Sequence, residues 1–454
     1  MLAAARAALR PEETPPMAWD FETDPAFQQE LDWIDAFVRE RVEPLDLLLP
    51  SPFAVADPER NRLVKPLQAE VRRRGLWACH LGPELGGQGY GQLKLGLMNE
   101  ILGRSAFAPT VFGCQAPDSG NAEILARYGT AEQKRRYLQP LLANDIVSCF
   151  AMTEPQGGSD PLLFTSRAQR DGGHWVLNGE KWFASNASFA SFFITMVVTE
   201  PDAPPHRRMS AFIVPAGTPG LETIRNVHVA GRREDGHSHG YLAFRDLRVP
   251  ADHMLGAPGE AFAVAQARLG GGRIHHAMRT IGEARKALDM LMERAVSRAT
   301  RRGTLADKQL VQAMVADSWI QLEQFRLLVL RTAWLIDKHA DYKRVRKDIA
   351  AVKAAMPKVL HDIVSRAIQV HGSLGVSNEM PFVEQLVSSY VMGIADGPTE
   401  VHQVALAKEL LAAVKPAEGL FPSAHRPAAR ERARRALAAA SAAAASTNDT
   451  RRPA

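Results

Sequence analysis

The chain has 454 residues, 46% of them hydrophobic and 23% charged, a balance that suits an ordinary soluble protein of about three domains with cores of its own. Its formal charge of +5 is matched by residues 424–454 alone, where seven arginines stand against Glu431 and Asp449, so the body is neutral and a nucleic-acid-binding role finds no support outside the tail. Three widely spaced cysteines, Cys79, Cys114 and Cys149, argue against a disulfide framework or a metal cluster and for a reducing compartment, and no apolar run reaches membrane-spanning length, so no membrane insertion is expected.

The first 24 residues have an Arg-and-Ala flavour but turn acidic by Glu12. They read as a disordered N-terminus with no convincing targeting signal, and a cytoplasmic location is expected. Residues 25–146 alternate helical stretches, such as AFQQELDWIDAFVRERV and RLVKPLQAEVRRRGLWA, with short turns. The glycine-rich Leu85–Gly91 loop in this region lacks the preceding strand that a dinucleotide fingerprint needs, and it reads as a turn. Between 147 and 255 the pattern changes to short apolar runs, HWVLNGEKWFAS, SFFITMVVTE and SAFIVPAG, bounded by Asn-Gly, Pro and Gly, which predicts a small antiparallel β domain. Helical periodicity returns over 256–415 in pieces long enough for an up-and-down bundle. Residues 416–454 form an Ala- and Arg-rich basic tail, expected to be largely disordered, although ARERARRALAAASAAAA has high helix propensity. The fold class is therefore α+β multidomain, with an N-terminal all-α domain, a middle antiparallel β domain and a C-terminal helical bundle.

Two segments carry chemistry. Asp396-Gly397-Pro398-Thr399-Glu400, near the end of the helical region, sets one carboxylate on a Gly-Pro turn; it is a candidate general base, against the alternative of a turn cap. Met152-Thr153-Glu154-Pro155-Gln156-Gly157-Gly158-Ser159-Asp160 opens the strand-rich region. Its small residues let backbone N–H groups approach an electron-rich ring, and the Thr153 and Ser159 hydroxyls add donors. His237-Ser238-His239 and His275-His276 lack a Cys, Asp or Glu at metal-ligand spacing, and adjacent helical residues point about 100° apart, so no metal site is expected. Gly372-Ser373-Leu374-Gly375 misses the nucleophile elbow of a hydrolase.

Together the two segments resemble the acyl-CoA dehydrogenase family, in the branch with an Asp-Gly-Pro catalytic segment. The helix, sheet, helix order, the stretches GCQAPDSGNAEILARYGTAEQKRRYLQPLLANDIVSCFAMTEP and GHSHGYLAFRDLRVPADHMLG, and the bundle opening ARLGGGRIHHAMRTIGEARKALD extend the likeness over roughly residues 25–415. The resemblance implies FAD as cofactor, bound through Phe150, Met152, Thr153, Gly158, Ser159, Phe183, Ser185, Arg298, Gln369, Gly372, Pro398 and Glu400. It implies substrate contacts at Ser159, Arg273 and Gly397, and Asp396 as the base that removes an α proton while hydride passes to flavin N5, giving a trans-2-enoyl-CoA. An acyl-CoA substrate, electron-transfer flavoprotein as electron acceptor, a role in fatty acid β-oxidation and a homodimer or homotetramer follow from the same likeness.

The chain departs from the family pattern in places. Phe183 stands where Trp is usual, Arg298-Ala299-Thr300-Arg301-Arg302-Gly303 lacks the Phe-Gly of the adenine-side motif, Ser373 replaces a glycine, and Gly393 replaces an Arg near the base. Most relatives use Glu as base and some carry it on the first bundle helix, where Gly270-Gly271-Gly272-Arg273 offers none. A flavin oxidase of the same superfamily and a catalytically silent member are the alternatives these departures leave open.

Overall fold

In a computed structural model of the chain, residues 21–85, 87–229, 239–417 and 419–449 are described. They hold helices α1 (Pro25–Phe37), α2 (Leu45–Leu48), α3 (Pro58–Arg73), α4 (Gly91–Leu102), α5 (Ala108–Val111), α6 (Asp118–Tyr128), α7 (Ala131–Gln133) and α8 (Gln139–Leu142) ahead of the sheet, and α9 (Ala261–Ser297), α10 (Gln309–His339), α11 (Arg346–His371), α12 (Phe382–Ile394), α13 (Thr399–Ala412) and α14 (Arg426–Asp449) after it. The helix starts follow local chemistry. Asp24 and Asp57 accept from the backbone N–H of Phe27 and Glu59, and a proline opens each helix behind them, at a position whose N–H would have no partner. Thr130 and Gln133 close a reciprocal capping box.

The strands are β1 (Ser148–Ala151), β2 (Arg167–Asp171), β3 (His174–Ser185), β4 (Phe192–Val198), β5 (Met209–Pro215), β6 (Leu221–Val227), β7 (His239–Pro250) and β8 (Met254–Leu255). They form one sheet in the order β6-β7-β3-β2-β4-β5-β8. Pairing is antiparallel except that β1 runs parallel to β4, with Phe150 opposite Ile194, and β2 meets β4 at a single parallel pair. Every residue of β4 is buried, which explains why FFITMVV reads as an unbroken apolar run instead of an alternating one.

The sequence separates an N-terminal helical domain from a C-terminal bundle, but the two share one core. Ile34, Phe37, Leu95, Met98 and Phe112 pack in the same cluster as Ile274, Met278, Ile281, Leu360 and Ile363. This shared core fixes α9 against α4, and α9 is the helix that carries most of the site.

The expectation of disorder in the C-terminal tail is corrected over 426–449, which form the continuous helix α14; the alanine content outweighs the lack of an apolar face. It lies in a second compact unit beginning at Val404. The disordered N-terminus is likewise corrected at its last residue, because Asp24 caps α1 and pairs with Lys94 at 2.8 Å. Residues 1–20, Gly86, His237 and Ser238 lie outside the described residues.

Candidate active site

Asp396 sits in the turn between α12 and α13 with φ +55, a left-handed conformation that Asp tolerates better than most L residues. Its backbone carbonyl accepts from Arg273 Nε at 3.0 Å and lies 3.2 Å from His402 Nε2. Gly397 follows at φ +101, where an added Cβ would stand 2.9 Å from His402 Nε2, so that position requires glycine. Thr399 Oγ1 donates to Gly393 O at 3.2 Å and Lys353 Nζ donates to Met392 O. The end of α12 is thus tied to α11 and to the start of α13, and the turn is held from both sides.

The carboxylate faces a histidine and three cationic side chains. His276 Nε2 is 3.7 Å from Asp396 Oδ2, and Arg268, Arg273 and Lys353 act on it electrostatically. Burial pushes the Asp396 carboxyl up, yet His276, Arg268, Arg273 and Lys353 together outweigh burial and hold it below its ordinary value. A base with a raised pKa, which desolvation alone would give, is therefore not what this site builds. Burial in turn lowers Lys353 to about 8, with Asp396 opposing, and lowers His276 and His402 so that both are neutral near pH 7.

Arg268 joins this turn to the sheet. Its Nε donates to Asn121 Oδ1 at 2.8 Å, and its guanidinium lies 4.3 Å from the ring centroid of Phe150 on β1 while interacting with Asp396. Two motifs more than two hundred residues apart in sequence are thereby brought to one arginine.

Beyond β1 the loop 152–159 hangs on a buried ion pair. Lys181 Nζ on β3 donates to Glu154 Oε1 at 2.8 Å, Met152 O at 3.0 Å and Met196 O at 2.6 Å. Glu154 also accepts from the N–H groups of Thr165 and Ser166. Burial raises the Glu154 carboxyl, but Lys181 and these donors overcome it and leave it lowered; burial brings Lys181 down to about 8, with Glu154 opposing. Thr153 O accepts from Trp182 N at 2.8 Å. Beyond this anchor the loop opens: Gly158 has φ +52, an added Cβ there would meet nothing within 4 Å, and Ser159 is exposed.

A register shift between Lys181 and Ala184 places a bulge at Trp182–Phe183. Phe183 adopts φ +52 and is left 44% exposed, with Trp182 and His239 beside its ring at 5.0 and 5.2 Å. An aromatic residue in that conformation, aimed outward, is a strained feature of the kind kept at ligand sites. Ser185 Oγ lies 3.0 Å from His239 Nδ1.

The site residues expected from sequence thus divide into groups. Phe150, Met152, Thr153, Gly158, Ser159, Phe183 and Ser185 lie on β1, the following loop and β3. Phe150 has one ring face covered by Arg268. Arg273, Asp396, Gly397 and Pro398 gather at the turn, where Arg273 spends its Nε on holding Asp396, and Glu400 is exposed in the first turn of α13. Arg298, Gln369 and Gly372 are elsewhere. Arg298 caps the far end of α9, twenty-two residues beyond His276, or about 33 Å along the helix. Gln369 and Gly372 end α11 at the same place, because Arg294 and Glu293 of α9 act on the neighbouring His371.

Sequence reasoning missed Arg268, Lys353 and the Glu154–Lys181 pair, and it treated His275 and His276 alike. His276 faces Asp396, whereas His275 turns to Gln92 Oε1 at 3.0 Å. Helical spacing was the available signal, since Arg268 and Arg273 bracket a face that includes His276.

Comparison with known proteins agrees with this geometry. Sequence profiles described as acyl-CoA dehydrogenase N-terminal, middle and C-terminal domain match residues 26–145, 149–247 and 259–411. The probable acyl-CoA dehydrogenase FadE2 of Mycobacterium tuberculosis is 38% identical over 87% of this chain and 94% of its own length. Mouse acyl-CoA dehydrogenase family member 10 is 38% identical over 85% of this chain, which spans only 37% of that larger protein. The solved structure of a putative acyl-CoA dehydrogenase from Mycobacterium abscessus, 35% identical, superposes with a TM-score of 0.79 over 86% of this chain and 99% of its own. The chain belongs to the acyl-CoA dehydrogenase family. Among the described residues no helix is long and apolar enough to cross a membrane.

Proposed function

We propose that this oxidoreductase carries out FAD-dependent α,β-dehydrogenation of an acyl-CoA thioester, with Asp396 as the base. The observation that carries the reading is Arg268, whose guanidinium lies over the Phe150 ring on β1 and interacts electrostatically with Asp396, linking the turn to the strand that leads into loop 152–159. These residues fit a flavin: a small-residue loop open at Gly158, hydroxyls at Thr153, Ser159 and Ser185, and an exposed aromatic face at Phe183. FAD, when bound, supplies the hydride acceptor.

Everything else falls to the chain. Asp396, ionised at neutral pH, receives the α proton, and the carbonyl made enolate-like by that loss is polarised by the Asp396 backbone N–H. Arg268, Arg273 and Lys353 give the turn a positive surround that stabilises negative charge developing beside it. Asp is one methylene shorter than the Glu of most relatives, and α9 comes close to its carboxylate: an added Cβ at Gly272 would lie 3.6 Å from Asp396 Oδ2.

Arg298, Gln369 and Gly372 are exposed, and Arg298 lies about 33 Å along α9 from His276, the residue that faces Asp396. We assign them to the adenine end of the cofactor bound by a second copy, so that a homodimer or dimer of dimers completes each site. Electron-transfer flavoprotein is the proposed electron acceptor.

The test is anaerobic stopped-flow bleaching of the purified yellow holoenzyme by a panel of acyl-CoAs. Rapid bleaching, reversed by an electron carrier faster than by air, supports the dehydrogenase. Fast reoxidation by air alone favours an oxidase, and a colourless protein that takes up no FAD sinks the reading.

A further inference from the structure

Arg268, Arg273 and Lys353 all act on the Asp396 carboxylate, yet among the described residues none of them makes an ion-pair contact with it. Arg273 spends its Nε on the Asp396 backbone carbonyl at 3.0 Å, Lys353 donates to Met392 O, and the carboxylate's ion-pair contact is His276 at 3.7 Å. Arg268 keeps to the same pattern although Asp396 is the charge that acts on it most strongly: its Nε donates to Asn121 Oδ1 at 2.8 Å.

Asn121 is itself held. Its Nδ2 donates to Ser148 Oγ at 2.8 Å, and the Ser148 backbone N–H and hydroxyl both donate to Asp118 Oδ1, at 2.8 and 2.6 Å. Asn121, Ser148 and Asp118 are all buried. Burial pushes the Asp118 carboxyl up to about 6, so it is ionised at neutral pH and takes the Ser148 hydroxyl proton. The Ser148 oxygen is then left to accept, which turns Nδ2 of Asn121 toward it and Oδ1 toward Arg268. Hydrogen bonds thus run in one direction from the guanidinium through two neutral side chains to a buried anion. Gly120 makes room for the arm, since an added Cβ there would stand 3.0 Å from Arg268 Cγ. The Phe150 ring supports the guanidinium at 4.3 Å, but a ring face fixes no direction within its plane. Direction comes from Asn121.

We infer that Asn121, oriented by Ser148 and Asp118, is a positioning residue that keeps the Arg268 guanidinium off the Asp396 carboxylate. This rests on the dehydrogenase reading of the Asp396 site. A bidentate pair with that carboxylate is the strongest contact open to the arginine. It would occupy both oxygens and stabilise their ionised form, which leaves a weaker base with no lone pair free for an α proton. Held at Nε, the same arginine lends its charge to the turn while the carboxylate stays open.

The test is a double-mutant cycle in the FAD holoenzyme, read by anaerobic flavin bleaching with the acyl-CoA that reduces the wild type fastest and by crystal structures of the variants. Asn121→Leu should keep FAD and slow bleaching about tenfold or more, and its structure should show Arg268 about 2.8 Å from the Asp396 carboxylate. In an Arg268→Gln background the same substitution should change the rate by less than about twofold, because the arm it releases is gone. Ser148→Ala, which frees the Asn121 amide to turn, takes its place if Asn121→Leu loses FAD, with the same coupling expected. Equal slowing in both backgrounds would mean a general packing role and overturns the proposal, as does unchanged bleaching or a variant structure with Arg268 still in place. If no thioester bleaches the wild type, the dehydrogenase reading fails, and the position of Arg268 in the Asn121→Leu structure still decides the tether.

Discussion

Replacing Asp396 by Asn tests the base most directly. Asn adopts the left-handed conformation at least as readily as Asp, and the contacts that hold the turn, Arg273 and His402 to the backbone carbonyl, do not involve the side chain. The turn should survive. What is lost is the proton acceptor, and removal of a general base costs about 10²–10⁴ in rate, or about 2.7–5.4 kcal/mol of barrier at about 1.36 kcal/mol per decade. Loss of the carboxylate also leaves Arg268, Arg273 and Lys353 without their shared anion, so Lys353, already at about 8, should deprotonate at lower pH. The assay is anaerobic bleaching of the flavin by a turnover-competent acyl-CoA, with FAD content and acyl-CoA affinity measured beside it. Retained FAD and binding with bleaching slowed by about 10² or more is the expected result. Near-normal bleaching would remove Asp396 from the mechanism, and Glu400 would be the next acidic group on the same segment.

Other outcomes follow from the same geometry. The folded-state pKa of Asp396 lies below that of the unfolded chain, so its contribution to stability is present above the unfolded value of about 3.9 and is lost as pH falls through the lower folded value. With His276 also neutral near pH 7, kcat/KM should show no acid limb between about pH 5 and 7, and a limb there would mean that the base carries a raised pKa. Lys181→Met leaves Glu154 buried without its cation and should destabilise the protein by about 3–5 kcal/mol in chemical denaturation, with FAD loss because loop 152–159 comes free; Glu154→Gln in the same chain should recover part of both. A stable, fully flavinated single variant would show that the pair does not anchor the loop. Arg298→Ala should weaken FAD retention on gel filtration without altering the Asp396 pH profile, and unchanged retention would refute the assignment of this distant arginine to the adenine end. Deleting residues 424–454, which remove α14 from the second compact unit, should leave FAD content and turnover within about twofold, and loss of either would show that the helix serves the body of the enzyme.

Much of this protein is legible in its sequence because the signals are local. The change from period 3.6 to short bounded strands and back marks three regions, and Asp396-Gly397-Pro398 announces a turn that a helix cannot enter. The same local reading brought out the small-residue loop at Gly157–Ser159. Other features depend on which faces meet. That the two helical regions share one core, that Arg268 stands between Phe150 and Asp396, and that Lys181 ties β3 to Glu154 are long-range pairings which no spacing encodes. The sign of the Asp396 shift belongs with them: burial alone predicts a raised carboxyl, and only the gathering of His276, Arg268, Arg273 and Lys353 from α9 and α11 reverses it. Propensity and capping act between residues a few positions apart, whereas the electrostatic field at a buried carboxylate is a sum over charges that only tertiary packing brings within reach of it.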